Sequence, residues 1–168
     1  VDTLTATSTS GQIVLNWFAA SGSVSGYVVE RSTTGSVWTT LTTTNASTLT
    51  YTATGLTNGT WYYFRVSATS SAGQGASAVI ASKPVSIADA PTGISATGIL
   101  NGVALSWSAP TNNGGSAIVG YQIEESVNSG AWTIVNANTG NSATSANLTN
   151  TSGTVSYRVS AINAVGIG

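Results

Sequence analysis

Apolar residues recur at every second position in short runs separated by turn-forming residues. Leu4 and Ala6 alternate with Thr3, Thr5 and Thr7. Ile13, Leu15 and Trp17 share one parity, as do Tyr27 and Val29. Leu49, Tyr51 and Ala53 form a further set, and Tyr62, Phe64, Val66 and Ala68 another. A period of two sends alternate side chains to opposite faces of an extended chain, so each run predicts a half-buried strand. Between the runs lie Ser8-Thr9-Ser10-Gly11, Ala20-Ser21-Gly22-Ser23 and Thr57-Asn58-Gly59-Thr60, which read as turns. No stretch carries an i, i+3, i+4, i+7 apolar stripe of helical length. About seven short strands in fewer than roughly ninety residues predict an all-β, antiparallel sandwich.

The pattern then starts again. Ile13-Val14-Leu15-Asn16-Trp17 is answered by Val103-Ala104-Leu105-Ser106-Trp107, and Gly26-Tyr27-Val28-Val29-Glu30 by Gly120-Tyr121-Gln122-Ile123-Glu124. Trp38-Thr39 is answered by Trp132-Thr133. Arg65-Val66-Ser67-Ala68 through Gly73-Gln74-Gly75 is answered by Arg158-Val159-Ser160-Ala161 through Gly166-Ile167-Gly168. The offsets are 90, 94, 94 and 93, so the two copies differ only by short insertions between anchors. The chain is two copies of one module.

These anchors resemble the fibronectin type III family: a Trp on the second strand, Gly-Tyr opening the third, Leu56 six residues before Tyr62, and the Arg65-Val66-Ser67-Ala68…Gly73-Gln74-Gly75 ending. Ser106-Trp107-Ser108-Ala109-Pro110-Thr111-Asn112-Asn113-Gly114-Gly115-Ser116-Ala117-Ile118-Val119-Gly120-Tyr121 is similar to the version found in bacterial secreted and surface proteins and in some phage proteins. The resemblance implies two tandem seven-stranded immunoglobulin-like sandwiches. It places module 1 at residues 1–87, a short connector at 88–90 and module 2 at 91–168. One Pro and no Gly across Ser86-Ile87-Ala88-Asp89-Ala90-Pro91 make the connector fairly stiff.

The second copy departs from the first in two ways. Val155 stands where the first copy has Tyr62, the phenol that the resemblance assigns to pinning a loop. The first copy continues through Ala76-Ser77-Ala78-Val79-Ile80-Ala81-Ser82-Lys83-Pro84-Val85, a seventh strand, whereas the second stops at Gly168. Module 2 is therefore expected to lack its last strand and to leave an open sheet edge. Ser156, Arg158, Ser160 and Ile162 are the residues expected to present that edge to a strand from a neighbouring chain.

Composition then narrows the chemistry. The 168 residues are 41% hydrophobic and only 5% charged, with five Trp, six Tyr and two Phe, which is a globular rather than a disordered balance. Four Lys and Arg against five Asp and Glu leave no basic stripe for phosphates, so nucleic acid is not an expected partner. No apolar run approaches the ~20 residues that span a bilayer, so no direct membrane insertion is expected. The chain opens on Val1, as a piece of a longer or processed protein would. With no His or Cys there is no Ser–His–Asp triad, no thiol nucleophile and no zinc or copper site of the usual ligand type. No cofactor is expected.

The acids are Asp2, Glu30, Asp89, Glu124 and Glu125. A glycosidase needs two carboxyls facing each other roughly 5–9.5 Å apart, but Glu124 and Glu125 are neighbours on one strand and point to opposite faces. The better reading pairs Glu30 with Arg65 and Glu124 with Arg158 across neighbouring strands, facing outward. Calcium would need acidic loop ligands, and Asn112-Asn113-Gly114-Gly115 supplies none. The expected chain is not an enzyme.

Trp17 and Trp107 read as core. Trp38, Trp132, Trp61 and Tyr63 are candidates for stacking on a sugar ring, with Trp38 and Trp132 expected instead to cover one end of each core. Rows such as Thr3-x-Thr5-x-Thr7-x-Thr9 read as outward strand positions. Asn45, Asn58, Asn147 and Asn150 lie in glycosylation sequons, relevant only where a glycosylation system meets them. No Arg-Gly-Asp triplet is present. The sequence thus points to an extracellular or cell-surface spacer that displays or assembles filament or surface components. Its expected partners are other protein domains, including copies of itself. A polysaccharide-binding accessory module is the alternative, and a phage particle the alternative location.

Overall fold

The computed structural model describes residues 1, 3–149 and 152–168. Among them there is no helix, and so none long and apolar enough to cross a membrane. The strands divide into two compact units, Val1–Val85 and Ser86–Gly168.

Unit 1 is a two-sheet sandwich. Strands β1 (Leu4–Thr9), β2 (Gln12–Trp17) and β5 (Thr50–Ala53) form one antiparallel sheet in the order β1-β2-β5. Strands β3 (Gly26–Ser32), β4 (Thr39–Asn45), β6 (Tyr62–Ser70) and β7 (Gly73–Ser82) form the other in the order β4-β3-β6-β7. The predicted alternation is what fills the space between them. Ile13, Leu15 and Trp17 from β2 meet Tyr27, Val29, Phe64 and Val66 from the opposite sheet, all buried. Trp17 and Tyr27 pack edge to face with centroids 5.6 Å apart, an arrangement that contributes about 0.5–1.5 kcal/mol beyond burial.

Two phenols anchor loops. The Tyr62 Oη accepts a hydrogen bond from the Thr57 backbone N–H at 3.1 Å, and Leu56 beside it is buried, so the loop-pinning tyrosine is present in unit 1. The Tyr27 Oη accepts from the Ala20 N–H, also at 3.1 Å. The repeated Gly-Tyr has a steric reason. A Cβ on Gly26 would overlap the Thr44 carbonyl of β4, and one on Gly120 would overlap the Asn138 side chain.

Unit 2 repeats the plan with one strand fewer. Strands β8 (Thr92–Ile99), β9 (Gly102–Ser108) and β12 (Ser145–Thr149) form the sheet β12-β9-β8. Strands β10 (Ile118–Val127), β11 (Trp132–Asn136) and β13 (Val155–Asn163) form β11-β10-β13. Leu105, Trp107, Tyr121, Ile123, Val159 and Ala161 make a separate core. Ala88, in the stretch read as a connector, is 3% exposed and belongs to that core. Backbone bonds from Ser86 N–H to the Gly114 carbonyl and from Asp89 N–H to the Asn112 carbonyl hold the stretch against the unit. Small size and one buried methyl suit Ala88 to a role that composition alone reads as linker.

Candidate functional site

Each unit carries the same ladder on the outer face of one sheet, β4-β3-β6-β7 in unit 1 and β11-β10-β13 in unit 2. Register places Glu30 of β3 opposite Arg65 of β6 and Glu124 of β10 opposite Arg158 of β13. In both pairs Arg Nε donates to Glu Oε2 at 2.6 Å and Nη2 donates to Oε1 at 2.8 Å, a two-point fork. The other face of each guanidinium lies over an indole: Arg65 Cζ is 4.5 Å from the Trp38 ring centroid and Arg158 Cζ 4.7 Å from that of Trp132. The expectation that these tryptophans cover one end of each core is therefore corrected. Neither belongs to a core cluster, because Trp38, just before β4, and Trp132, at the start of β11, lie on the outward parity, each against a guanidinium. Glu30 does face outward, yet it is only 8% exposed, because Arg65 lies across it.

The hydrogen bond from Arg65 holds the Glu30 carboxyl below its ordinary value of 4.5, against a smaller upward push from burial. The hydrogen bond from Arg158 lowers Glu124 in the same way. A lowered value means that each pair's contribution to folding is present above about pH 4.5 and is lost as pH falls through the folded value. Side-chain carboxyl titration by NMR is expected to give low midpoints for both glutamates. Arg65→Ala should return Glu30 towards 4.5 without moving Glu124. A shift of both together would disprove two separate ladders.

The remaining candidates are dispersed. Trp61 is 54% exposed, with Lys83 Nζ 5.7 Å from its ring centroid. Tyr63 is half-buried and lies against Gly35. Trp38, Trp61 and Tyr63 belong to unit 1 and Trp132 to unit 2. Glu125 shares the inner parity with Tyr157, opposite it on β13. Burial, and secondarily the Glu125 charge, raises the Tyr157 phenol. Among the described residues no three acids gather into a metal-sized group. Asn45 is exposed, but its Oδ1 accepts from the N–H groups of Ser47 and Thr48 in the β4–β5 turn. Asn58 is half-buried, and its Oδ1 accepts from Gly11 N–H at 2.9 Å. Asn147 is exposed on β12, and Asn150 lies outside the described residues.

The open edge of unit 2 has more structure than sequence reasoning found. After β13 the chain turns: Asn163 N–H donates to the Gly166 carbonyl at 3.0 Å and Gly168 N–H to the Ala161 carbonyl at 2.9 Å, with an isolated bridge between Ile162 and Ile167. Ala161 and Asn163 thus aim their backbone groups away from β10. In an antiparallel strand that direction alternates residue by residue, so Tyr157 and Val159 aim outward too. Ser156, Arg158, Ser160 and Ile162, expected to present the edge, aim theirs at β10 instead. The phase comes from pairing with β10, which side-chain alternation does not encode.

The second sheet is uncovered at the same place. In unit 1 the inner positions Leu4, Ala6 and Ser8 of β1 are half-buried, and Ser8 Oγ lies 2.7 Å from Ser82 Oγ of β7. In unit 2 all eight residues of β8 are exposed, Ile94 at 39% and Ile99 at 44%, and Leu100 just beyond is 91% exposed. The buried Tyr157 Oη has no hydrogen-bond partner.

Residues 1–83 match the model of the fibronectin type III domain. A stretch of 74 residues is 39% identical to a Kelch domain-containing protein of Saccharolobus solfataricus, covering 44% of this chain and 10% of that protein. The chain thus corresponds to a small part of that relative's length. Among solved structures, a segment of two fibronectin type III domains from chicken tenascin aligns over 99% of this chain and 93% of its own, with 18% identity and a TM-score of 0.49. The FN1–FN3 domains of chicken CNTN1 align over 99% of this chain and 60% of theirs, with 23% identity and a TM-score of 0.51. The fold is that of tandem fibronectin type III sandwiches.

Proposed function

We propose that the chain is a non-catalytic structural element of a bacterial or phage extracellular assembly, one that displays or joins components by packing protein against protein. Fibronectin type III domains are typically extracellular protein–protein interaction modules. The observation that carries the proposal for this chain is that two compact units, Val1–Val85 and Ser86–Gly168, repeat one all-β sandwich plan whose exposed surfaces carry hydroxyl, amide and apolar groups rather than clustered reactive side chains. The side chains that could do acid–base work, Glu30 and Glu124, are instead locked to arginines in both units. Low charge also lets such surfaces approach one another without strong repulsion.

Light scattering over a concentration series tests this. The mass is expected to rise reversibly above the 16.8 kDa of one chain. Insoluble cellulose and chitin are expected to leave the chain in the supernatant. Constant monomer mass, together with pull-down lost in Trp132→Ala, would overturn the proposal in favour of a polysaccharide-binding accessory.

A further inference from the structure

The chain contains three Asn-Gly pairs, Asn58-Gly59, Asn101-Gly102 and Asn113-Gly114. In such a pair the glycine nitrogen can attack the asparagine side-chain carbonyl, because no Cβ on the following residue shields it. The fold holds two of the pairs against this reaction. Asn58 Oδ1 accepts from Gly11 N–H at 2.9 Å and its Nδ2 donates to Ser10 Oγ at 3.3 Å, while Gly59 N–H donates to the Pro84 carbonyl at 2.8 Å. Asn113 Oδ1 accepts from Gly115 N–H at 2.9 Å, and Gly114 N–H donates to Asn112 Oδ1 at 3.0 Å. In both pairs the electrophile and the nucleophile are tied to other partners.

Asn101 differs. It is exposed at the tip of the β8–β9 hairpin, and its side chain makes no hydrogen bond among the described residues. Gly102 lies in the last rung of that hairpin, opposite Ile99, and terminal rungs open at low free energy. Geometry fixes both members of the pair. Asn101 has a φ of 63°, a left-handed conformation that Asn and Gly adopt most readily. A Cβ on Gly102 would overlap the Leu148 carbonyl of β12, so no side chain fits there. In unit 1 the position 90 residues earlier is Gly11, with a φ of 69°.

We propose that Asn101 is a modification site, converted without an enzyme to aspartate and isoaspartate. Solvent hydroxide takes the Gly102 amide proton, and the Gly102 nitrogen bonds to Asn101 Cγ. The Cγ–Nδ2 bond breaks as Nδ2 takes a proton from water and leaves as ammonia, which regenerates hydroxide. Water then opens the succinimide ring. Breaking the new N–Cγ bond gives aspartate. Breaking the bond from the Gly102 nitrogen to the Asn101 main-chain carbonyl carbon gives isoaspartate, with the main chain rerouted through Cβ and Cγ. One water is consumed, one ammonia is released, and nothing is oxidised or reduced. Either product adds one negative charge to a net of −1, beside Leu100, which is 91% exposed. The conversion does not depend on what the chain packs against.

The whole chain is aged in mildly alkaline buffer, once folded and once in urea, and conversion at each pair is followed by peptide mapping with mass spectrometry. Each pair's rate in urea serves as its own reference. Folding should slow Asn58 and Asn113 roughly tenfold more than it slows Asn101, because their bonds must open before attack. Residue 101 of the folded chain should then yield both aspartate and isoaspartate. Asn101→Gly, which copies the residue that unit 1 carries at this turn, should remove the first acidic species seen on isoelectric focusing. Equal slowing at the three pairs, strongest slowing at Asn101, or acidic species that form as fast in Asn101→Gly would each overturn the inference. So would an unconverted Asn101 in the folded chain after the time in which the urea-unfolded chain has converted.

Discussion

Leu105→Ala is expected to unfold unit 2 while unit 1 stays folded. Leu105 is 1% exposed at the centre of the second core, and truncating such a residue costs about 2–5 kcal/mol. Native domains have only about 5–15 kcal/mol in total, and unit 2 starts low in that range for reasons visible in its build. Its buried cluster is smaller than that of unit 1. Val155 replaces the Tyr62 phenol whose hydrogen bond to Thr57 holds a loop, and the Tyr121 and Tyr157 hydroxyls lie buried without partners, each at a cost of about 1–3 kcal/mol. In a two-dimensional NMR spectrum the dispersed amides of residues 86–168 should collapse while those of residues 1–85 remain. The two cores share no residue, which is why the loss is expected to stop at the boundary. Concerted collapse of both sets would show that the units are not independent.

The second large effect is expected at Gly26. Its Cβ direction is filled by the Thr44 carbonyl, a backbone atom held by β3–β4 pairing that cannot swing aside. Gly26→Ala must push β4 away at the point where Gly26 pairs with Asn45. Overpacking of this kind costs about 1–3 kcal/mol. For a unit the size of Val1–Val85 each kcal/mol lowers the midpoint by about 4–8 °C. Gly120→Ala should be milder, because the atom in its way ends a rotatable Asn138 side chain. Thermal melts of the two variants, read from the two units separately, check the order. Equal losses would mean that the Gly-Tyr pair is kept for some reason other than space.

Much of this architecture is legible in the sequence because period two encodes it directly. Ile13, Leu15 and Trp17 announce their face, and repetition at Val103, Leu105 and Trp107 shows that the unit is used twice. The same repetition made the Glu30–Arg65 and Glu124–Arg158 pairs readable, since both members recur at matching offsets. What escaped was information held in phase and direction. Side-chain parity along β13 says which residues face the core, but the outward aim of Tyr157 and Val159 depends on how β13 meets β10. Trp38 lies just before β4 and Trp132 opens β11, at strand ends where alternation constrains them little, and the guanidinium above each ring explains their placement. Ala88 is small enough to be read as connector or as core, and its neighbours' backbone bonds decide between the two.

The ladders also bear on how the protein behaves in bulk water. Of nine charged side chains, four cancel in two tight pairs, so the field reaching a neighbouring molecule is weak even before ions screen it. Dilute sodium chloride should therefore change its solubility very little. Strongly hydrated salts such as sulfate act on hydration itself, and they should bring the protein out of solution at modest concentration. The hydroxyls of its many threonines and serines, rather than net charge, then keep it dispersed.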